Sequence, residues 1–296
     1  MQSKFSDLNI IKSKINLGYA GGCNLGSKYA KGEYLLFLNN DTIHNPSFIT
    51  KLVNKIESED NIASVQPKII NINNPEFFDY SGACGGYMDY LVYPFTRGRI
   101  FDTIEKDNKQ YDKSCKIFWA SGAGFITRKN IFDKLSGFDA DLFAHMEEID
   151  YHWKCHLMGY TVWVEPAAVV YHHGGKTLSA SSAVKTYLNH RNSLILLLSN
   201  YSLGLSLYLF VLRFFLEIIS SLKDLFTFRL NHFIAHYKSI FWIIINFNLI
   251  SKKRKIINTI RKKSDLELLE NKIILNQSIV KLYFINKKKT YTDLEI

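Results

Sequence analysis

The chain has 296 residues, 47% of them hydrophobic and 22% charged, enough apolar side chain to bury a sizeable core in one large domain or two smaller ones. This balance excludes intrinsic disorder, collagen-like repeats and coiled coil as the main state. The formal net charge is +10, but residues 1–184 carry 19 Lys+Arg against 20 Asp+Glu and residues 185–296 carry 18 against 7, so the whole excess lies in the last third.

Read in chain order, residues 1–175 alternate short apolar runs with helical stretches, the pattern of an α/β sheet. Asn16 to Gly26 is a glycine-rich turn leading into a helix expected to end near Gly32. Tyr34 to Leu38 reads Y-L-L-F-L, an unbroken run of the kind buried on both faces of a parallel sheet, and it stops at Asn39, Asn40 and Asp41. Asn45 and Pro46 read as the start of a helix whose apolar face is Phe48, Ile49, Leu52, Val53 and Ile56. Short strands are predicted at 117–120, 124–127, 161–164 and 168–171. A helix from Glu147 to Gly159 lies between them, with Ile149, Trp153 and Leu157 on its apolar side and Gly159 suited to a left-handed C-terminal cap.

From about Lys185 the texture becomes long and helical. Leu203 to Leu222 is apolar over a bilayer-spanning length, interrupted by Arg213 and Glu217, which are spaced to pair on one helix face. Ser239 to Ile250 is a shorter apolar run that meets Lys252, Lys253, Arg254 and Lys255. A basic, apolar, aromatic segment of this kind fits amphipathic helices lying on the cytoplasmic leaflet of a membrane, the alternative being a helical subdomain packed on the core. Residues 1–184 and 185–296 are the expected divisions. The four cysteines, Cys23, Cys84, Cys115 and Cys155, form no C-x-x-C pair, which argues against a thiolate zinc site and fits a reduced, cytosolic setting. The first residues offer no apolar stretch of signal-peptide length.

Four constellations carry candidate chemistry. Asp41 sits just past the best strand, where open α/β sheets bind ligands, and an aspartate there suits Mg²⁺ or Mn²⁺. The same N-N-D-T stretch also reads as a simple Asx turn. Asn16 to Gly26 permits close backbone approach to a ligand, but it lacks the dinucleotide and Walker spacings. His145 to Asp150, H-M-E-E-I-D, places three carboxylates at a helix start. Crowding raises carboxylate pKa toward that of a useful base, with Glu148 the choice and Asp150 spaced to pair with Lys154 instead. His172 and His173 end a strand before Gly174 and Gly175, and imidazole is a good companion for Mn²⁺ beside an aspartate.

Seven segments in order resemble family 2 glycosyltransferases of the GT-A fold, especially the rhamnosyltransferase-like branch of bacterial cell-surface polysaccharide synthesis. They are N-L-G-Y-A-G-G-C-N at Asn16, A-K-G-E-Y-L-L-F-L-N-N-D ending at Asp41, W-A-S-G-A-G-F at Trp119, G-F-D at Gly137, H-M-E-E-I-D at His145, V-V-Y-H-H-G-G at Val169 and L-N-H-R-N-S-L at Leu188. The resemblance covers roughly residues 8–200. It implies an α/β GT-A domain over 1–184, starting after the family's leading β-α-β segment and therefore N-terminally incomplete, followed by a helical, membrane-associating region over 185–296.

The resemblance further implies inverting transfer from a nucleoside-diphosphate sugar to a hydroxyl of a glycan or lipid-linked oligosaccharide acceptor. It places Asp41 and His172 as ligands of Mn²⁺ or Mg²⁺, and Asn16, Gly18, Asn24, Asn39 and Asn40 toward the donor. Glu148 stands at the position of the catalytic base, usually aspartate in the family, with Glu147 beside it. Trp119, Ser121, Gly122 and Asp150 fall on the acceptor side. The partners expected are these two substrates and an anionic membrane surface, without nucleic acid, and the location is cytoplasmic and peripheral on the inner face of the plasma membrane, with 203–222 as a candidate integral segment. The missing leading strands also frame the competing expectation, an inactive membrane-associated protein that binds glycan or a partner.

Overall fold

A computed structural model of the chain describes residues 8–174 and 182–295. Helix α1 (Gly18–Ser27) contains the glycines expected to form a turn and ends five residues before Gly32. Gly18 explains the tight entry: its φ is +68°, and a Cβ there would lie 2.3 Å from Phe143 O. Strand β1 (Tyr34–Leu38) has the predicted bounds, and β2 (Thr42–His44) follows after the turn through Asp41. Helix α2 (Phe48–Glu57) buries Phe48, Leu52 and Ile56, as its spacing predicted, although its N-cap is Ser47.

Strand β3 (Ile62–Asn71) is nearly all buried and escaped the sequence reading, because Ser64, Gln66 and Lys68 interrupt its apolar run. Each is satisfied inside. Ser64 Oγ donates to Thr127 Oγ1 at 2.8 Å, Gln66 accepts from Ser121 N at 2.7 Å, and Lys68 pairs with Asp107 at 2.8 Å and with Asp112. A small antiparallel sheet, β4 (Gly86–Met88), β5 (Pro94–Thr96), β6 (Arg99–Ile100) and β7 (Thr103–Ile104), comes next and was also not foreseen.

Strand β8 (Cys115–Ile117) lies earlier than the run predicted at 117–120, and β9 (Gly124–Arg128) matches its prediction. After α3 (Lys129–Lys134) and α4 (Glu147–Leu157), the two strands predicted at 161–164 and 168–171 are one, β10 (Thr161–His172), with a register shift between Glu165 and Val169. Pro166 lies inside that shift, which is where a strand tolerates a residue without an N–H.

The main sheet has the order β1-β9-β3-β10-β2, with β8 also paired to β10. The parallel expectation is corrected: β3–β10 is parallel, whereas β1–β9, β3–β9, β2–β10 and β8–β10 are antiparallel. The apolar run of β1 instead reflects two covered faces. Leu35 and Phe37 pack with Phe125, Phe132, Phe138 and Tyr151 on one side, while Leu36 and Leu38 pack with the α2 cluster on the other. This mixed sheet covered by helices is the α/β architecture expected for a GT-A domain.

Helices α5 (Ala183–Asn200), α6 (Leu203–Phe226), α7 (Leu230–Ile245), α8 (Phe247–Ile260) and α9 (Asp265–Glu270) follow. The apolar run 239–250 is broken at Asn246, where α7 and α8 meet at 71°. One hydrophobic cluster joins Met88, Leu142, Ile149, Trp153 and Leu157 to Leu194, Leu197, Tyr201, Ile243, Ile257 and Ile274, so the two expected divisions share a core.

Helix α6 is arranged inside out. Ser206, Arg213, Glu217, Ser221 and Asp224 are buried, while Leu207, Val211, Phe215, Ile219 and Phe226 are exposed. Helix α7 shows the same inversion, with His232, His236 and Ser239 inside and Ile234, Phe241 and Ile244 outside. Of the basic run on α8, Lys253 pairs with Asp139 at 2.5 Å and Asp141 at 2.7 Å, and Arg254 donates to Tyr201 O at 3.1 Å. Two of those four cations are therefore spent on the fold.

Candidate active site

Strand β1 delivers Asn39, Asn40 and Asp41 to one end of the sheet, and β10 ends beside them at His172. The β2–β10 pairing sets this meeting, since Thr42 lies opposite His172. His172 Nε2 is 3.3 Å from Asp41 Oδ1 and 3.3 Å from Asn39 Nδ2, and its Nδ1 is 2.9 Å from Asp79 Oδ1. His172 and Asp79 are buried, whereas Asp41 is partly exposed. Burial opposes a charge on His172, but the hydrogen bond and charge of Asp79, with Asp41 beyond, outweigh it and raise its pKa.

These donors fit a divalent cation. Asp41 offers a carboxylate and His172 a ring nitrogen, and Asp79 fixes the other ring nitrogen in the way outer carboxylates orient metal-bound imidazoles. Asp79 stood in no motif, and nothing in F-F-D-Y marked it. His173 is anchored through its backbone N–H to Asp41 O at 3.0 Å, and Gly175 falls outside the described residues.

The segment Ser121–Ala123 lies between this group and the head of α4. Ala123 O accepts from Asn39 N at 3.1 Å, and Gly122 O accepts from the Tyr19 hydroxyl at 2.7 Å. Ser121 is buried, its hydroxyl donates to Ser81 O and its N–H is held by Gln66. At the head of α4, His145 and Met146 take left-handed backbone, with φ of 67° and 73°, and turn Glu147 and Glu148 inward. One carboxylate oxygen of each, Oε2, is buried without a hydrogen-bond partner.

Burial pushes Glu148 up to about 7, against the pull of its own N–H and those of Gly122 and Ile149. Glu147 is driven up further, by burial and then by the charge of Glu148. Burial together with the charge of Lys185 pushes neighbouring His145 down to about 4, which leaves that imidazole neutral. The arrangement therefore holds a carboxylate with an unpartnered oxygen and a near-neutral pKa, the properties of a general base.

Other predicted residues serve the frame. Asn16 accepts from Gly18 N at 2.9 Å, and Asn24 both donates to Phe138 O and accepts from Phe138 N at 2.8 Å, strapping α1 to the G-F-D turn. Asn40 is exposed beside Asp41. Two of the residues expected on the acceptor side are buried and bonded within the protein. Trp119 is buried, its indole donates to Tyr87 O at 2.8 Å, and its ring leaves no room for a Cβ at Gly86. Asp150 is buried, with Lys154 at 2.5 Å and Asn200 donating to it at 3.0 Å.

Sequence reasoning missed two residues of L-N-H-R-N as builders of the site. Asn192 Nδ2 donates to Leu142 O, Ala144 O and His145 O at 3.0, 3.0 and 2.7 Å, and Arg191 donates to Asp141 O and Leu142 O. Both hold the loop that aims Glu147 and Glu148.

The sequence model of glycosyl transferase family 2 matches residues 1–136, a span that includes Asp41 and Ser121–Ala123 and ends ahead of α4. Residues 1–136 are thus similar in sequence to family 2 glycosyltransferases. An N-acetylglucosaminyl-diphospho-decaprenol L-rhamnosyltransferase of Mycobacterium tuberculosis is 21% identical over 216 residues, covering 67% of this chain and 69% of the relative. Among solved structures, GalNAc-T7 with UDP, GalNAc and Mn²⁺ aligns at a TM-score of 0.48 and 16% identity, over 62% of this chain and 36% of that one. The mannosyltransferase PcManGT of Pyrobaculum calidifontis, in complex with GDP-Man and Mn²⁺, aligns at 0.44 and 10%, over 82% and 60%. The chain thus spans less than two thirds of either structural neighbour.

Proposed function

We propose that the protein transfers a sugar, with inversion, from a nucleoside-diphosphate donor to a hydroxyl of a lipid-linked glycan during cell-surface polysaccharide synthesis. The observation that carries this reading is Glu148, whose Oε2 is buried and unpartnered and whose carboxylate is held by the backbone of Gly122, next to Ala123, which accepts from Asn39 N. Oε2 takes the proton of the acceptor hydroxyl, the freed oxygen forms its bond to the anomeric carbon, and the bond from that carbon to the diphosphate breaks. Asp41 and His172 would hold Mn²⁺ or Mg²⁺, which when bound neutralises charge on the departing diphosphate. The chain's own contribution there is Asp79, which keeps Nε2 of His172 turned toward Asp41.

The lipid-linked acceptor gains support from the rhamnosyltransferase relative, whose name specifies a diphospho-decaprenol acceptor, and from the inverted helices α6 and α7. An exposed apolar face is unfavourable in water and favourable in a bilayer interface. Helix α6 is long and apolar enough to cross a membrane, yet its buried Arg213, Glu217 and Asp224 face the protein, which suits a hairpin resting on the cytoplasmic leaflet. Lys223 and Lys238, exposed on the same hairpin, favour anionic lipid.

The test is turnover of UDP-, dTDP- and GDP-sugars by the full chain, with and without Mn²⁺, using a prenyl-diphosphate glycan in anionic vesicles. Metal-dependent release of one nucleoside diphosphate supports the reading. Tight binding of the glycan with no turnover of any donor would replace it with the binding-only protein.

A further inference from the structure

Three side chains outside the candidate active site converge in the helical region. His190 of α5, Glu217 of α6 and His236 of α7 bring one ligand atom each to within 4.8 Å of one another. Glu217 Oε2 is 2.7 Å from His190 Nδ1 and 2.8 Å from His236 Nδ1, and the two rings lie 4.1 Å apart between centroids. Among the described residues this is the sole group of three or more such side chains placed to hold a metal ion.

We infer that His190, Glu217 and His236 form a structural site for a borderline divalent ion of the Zn²⁺ class, separate from Asp41 and His172 and independent of the transferase reading. Two imidazoles and one carboxylate are the donor set of such ions, whereas Mg²⁺ and Ca²⁺ take oxygen. Metal-to-ligand distances of about 2.0–2.1 Å would separate tetrahedral ligand atoms by roughly 3.3 Å, so each ring has to withdraw by about half an ångström.

The surroundings match what orients metal ligands. With Nδ1 toward the ion, His236 carries its proton on Nε2, which faces Asp224 Oδ2 at 3.3 Å. Arg213 Nε holds the other oxygen of Glu217, Oε1, at 2.9 Å, and Arg213 is itself braced by Ser193 Oγ at 2.9 Å and Leu91 O at 2.7 Å. His236 and Glu217 side chains are each 1% exposed, while that of His190 is 19% exposed, which provides an entry path. The ion would tie α5, α6 and α7 together where their polar faces meet.

The experiment uses Co²⁺ as the probe on the full chain freed of metal, in the wild type and in Asp41→Asn to silence the other site. Both should develop the strong visible absorption of four-coordinate Co²⁺ at one equivalent, and Zn²⁺ should abolish it. His190→Gln and His236→Gln should lose it while keeping the helical circular dichroism of the wild type. Asp224→Asn keeps all three ligands and should weaken Co²⁺ binding by about 10–100-fold, which tests the site even where a ligand substitution fails to fold. Absence of the absorption from the wild type, or its persistence at unchanged affinity in both Gln variants, overturns the inference.

Discussion

Asp79 Oδ1 and His172 Nδ1 lie 2.9 Å apart, both buried, on segments ninety-three residues apart in the chain. The pair fixes which nitrogen of His172 faces Asp41. Replacing Asp79 by Asn keeps the shape and the contact to Ser81 N but removes the charge that orients the ring. Mn²⁺ affinity in the presence of nucleoside diphosphate should fall about 10–100-fold by calorimetric titration. An unaltered affinity would detach His172 from any metal role.

Glu148→Gln preserves volume and removes the proton acceptor. Transfer should slow by about 10²–10⁴-fold while donor binding, read by calorimetry, stays within about twofold of wild type. A variant that retains most of its kcat would move the base elsewhere.

The pH dependence follows from Glu148 titrating near 7. A base works when deprotonated, so kcat/KM should rise about tenfold per pH unit below 7 and level above it. Stability runs the other way. Because the folded pKa is raised above the unfolded value of 4.5, the native state binds the extra proton between about 4.5 and 7, and this group's contribution to stability is lost as pH rises through that window. Urea midpoints of wild type and Glu148→Gln measured across that range should converge at the acid end and separate in favour of the variant at the alkaline end.

Asn192→Ala removes the donor to three carbonyls of the loop ahead of α4, one of them in a fully buried hydrogen bond and two in part-buried ones. The expected cost is about 2–4 kcal/mol in chemical denaturation. Because these carbonyls shape the approach to Glu147, kcat should drop in the surviving folded fraction with little change in donor affinity.

Much of the site was legible because the informative signals were local. An apolar strand ending in N-N-D, acidic residues heading a helix with a glycine stop, and histidines at a strand end each announce themselves within a few positions. Strand β3 was hidden because its polar residues find partners far along the chain, Lys68 with Asp107 and Gln66 with Ser121. The small sheet around Phe95 was hidden because its strands span two or three residues each. Asp79 and Asn192 act on groups remote in sequence, and no spacing rule exposes such pairs. Trp119 and Asp150 sit in motifs that resemble a binding wall, but burial decides their use, and burial is a property of the folded chain.

The cluster that runs from Leu142 and Trp153 to Tyr201 and Ile274 has a practical corollary for anyone dissecting the molecule. A clone ended at residue 184 would carry every candidate catalytic side chain and still lack the lid over Ile149, Trp153 and Leu157, along with the amide clamp on the loop before Glu147. Residues 1–184 thus do not close their own core, and a piece that keeps it closed has to reach past α9, because Ile274 belongs to this cluster and Leu275, Ile279 and Leu282 pack with Phe95 and Ile100 of the small sheet.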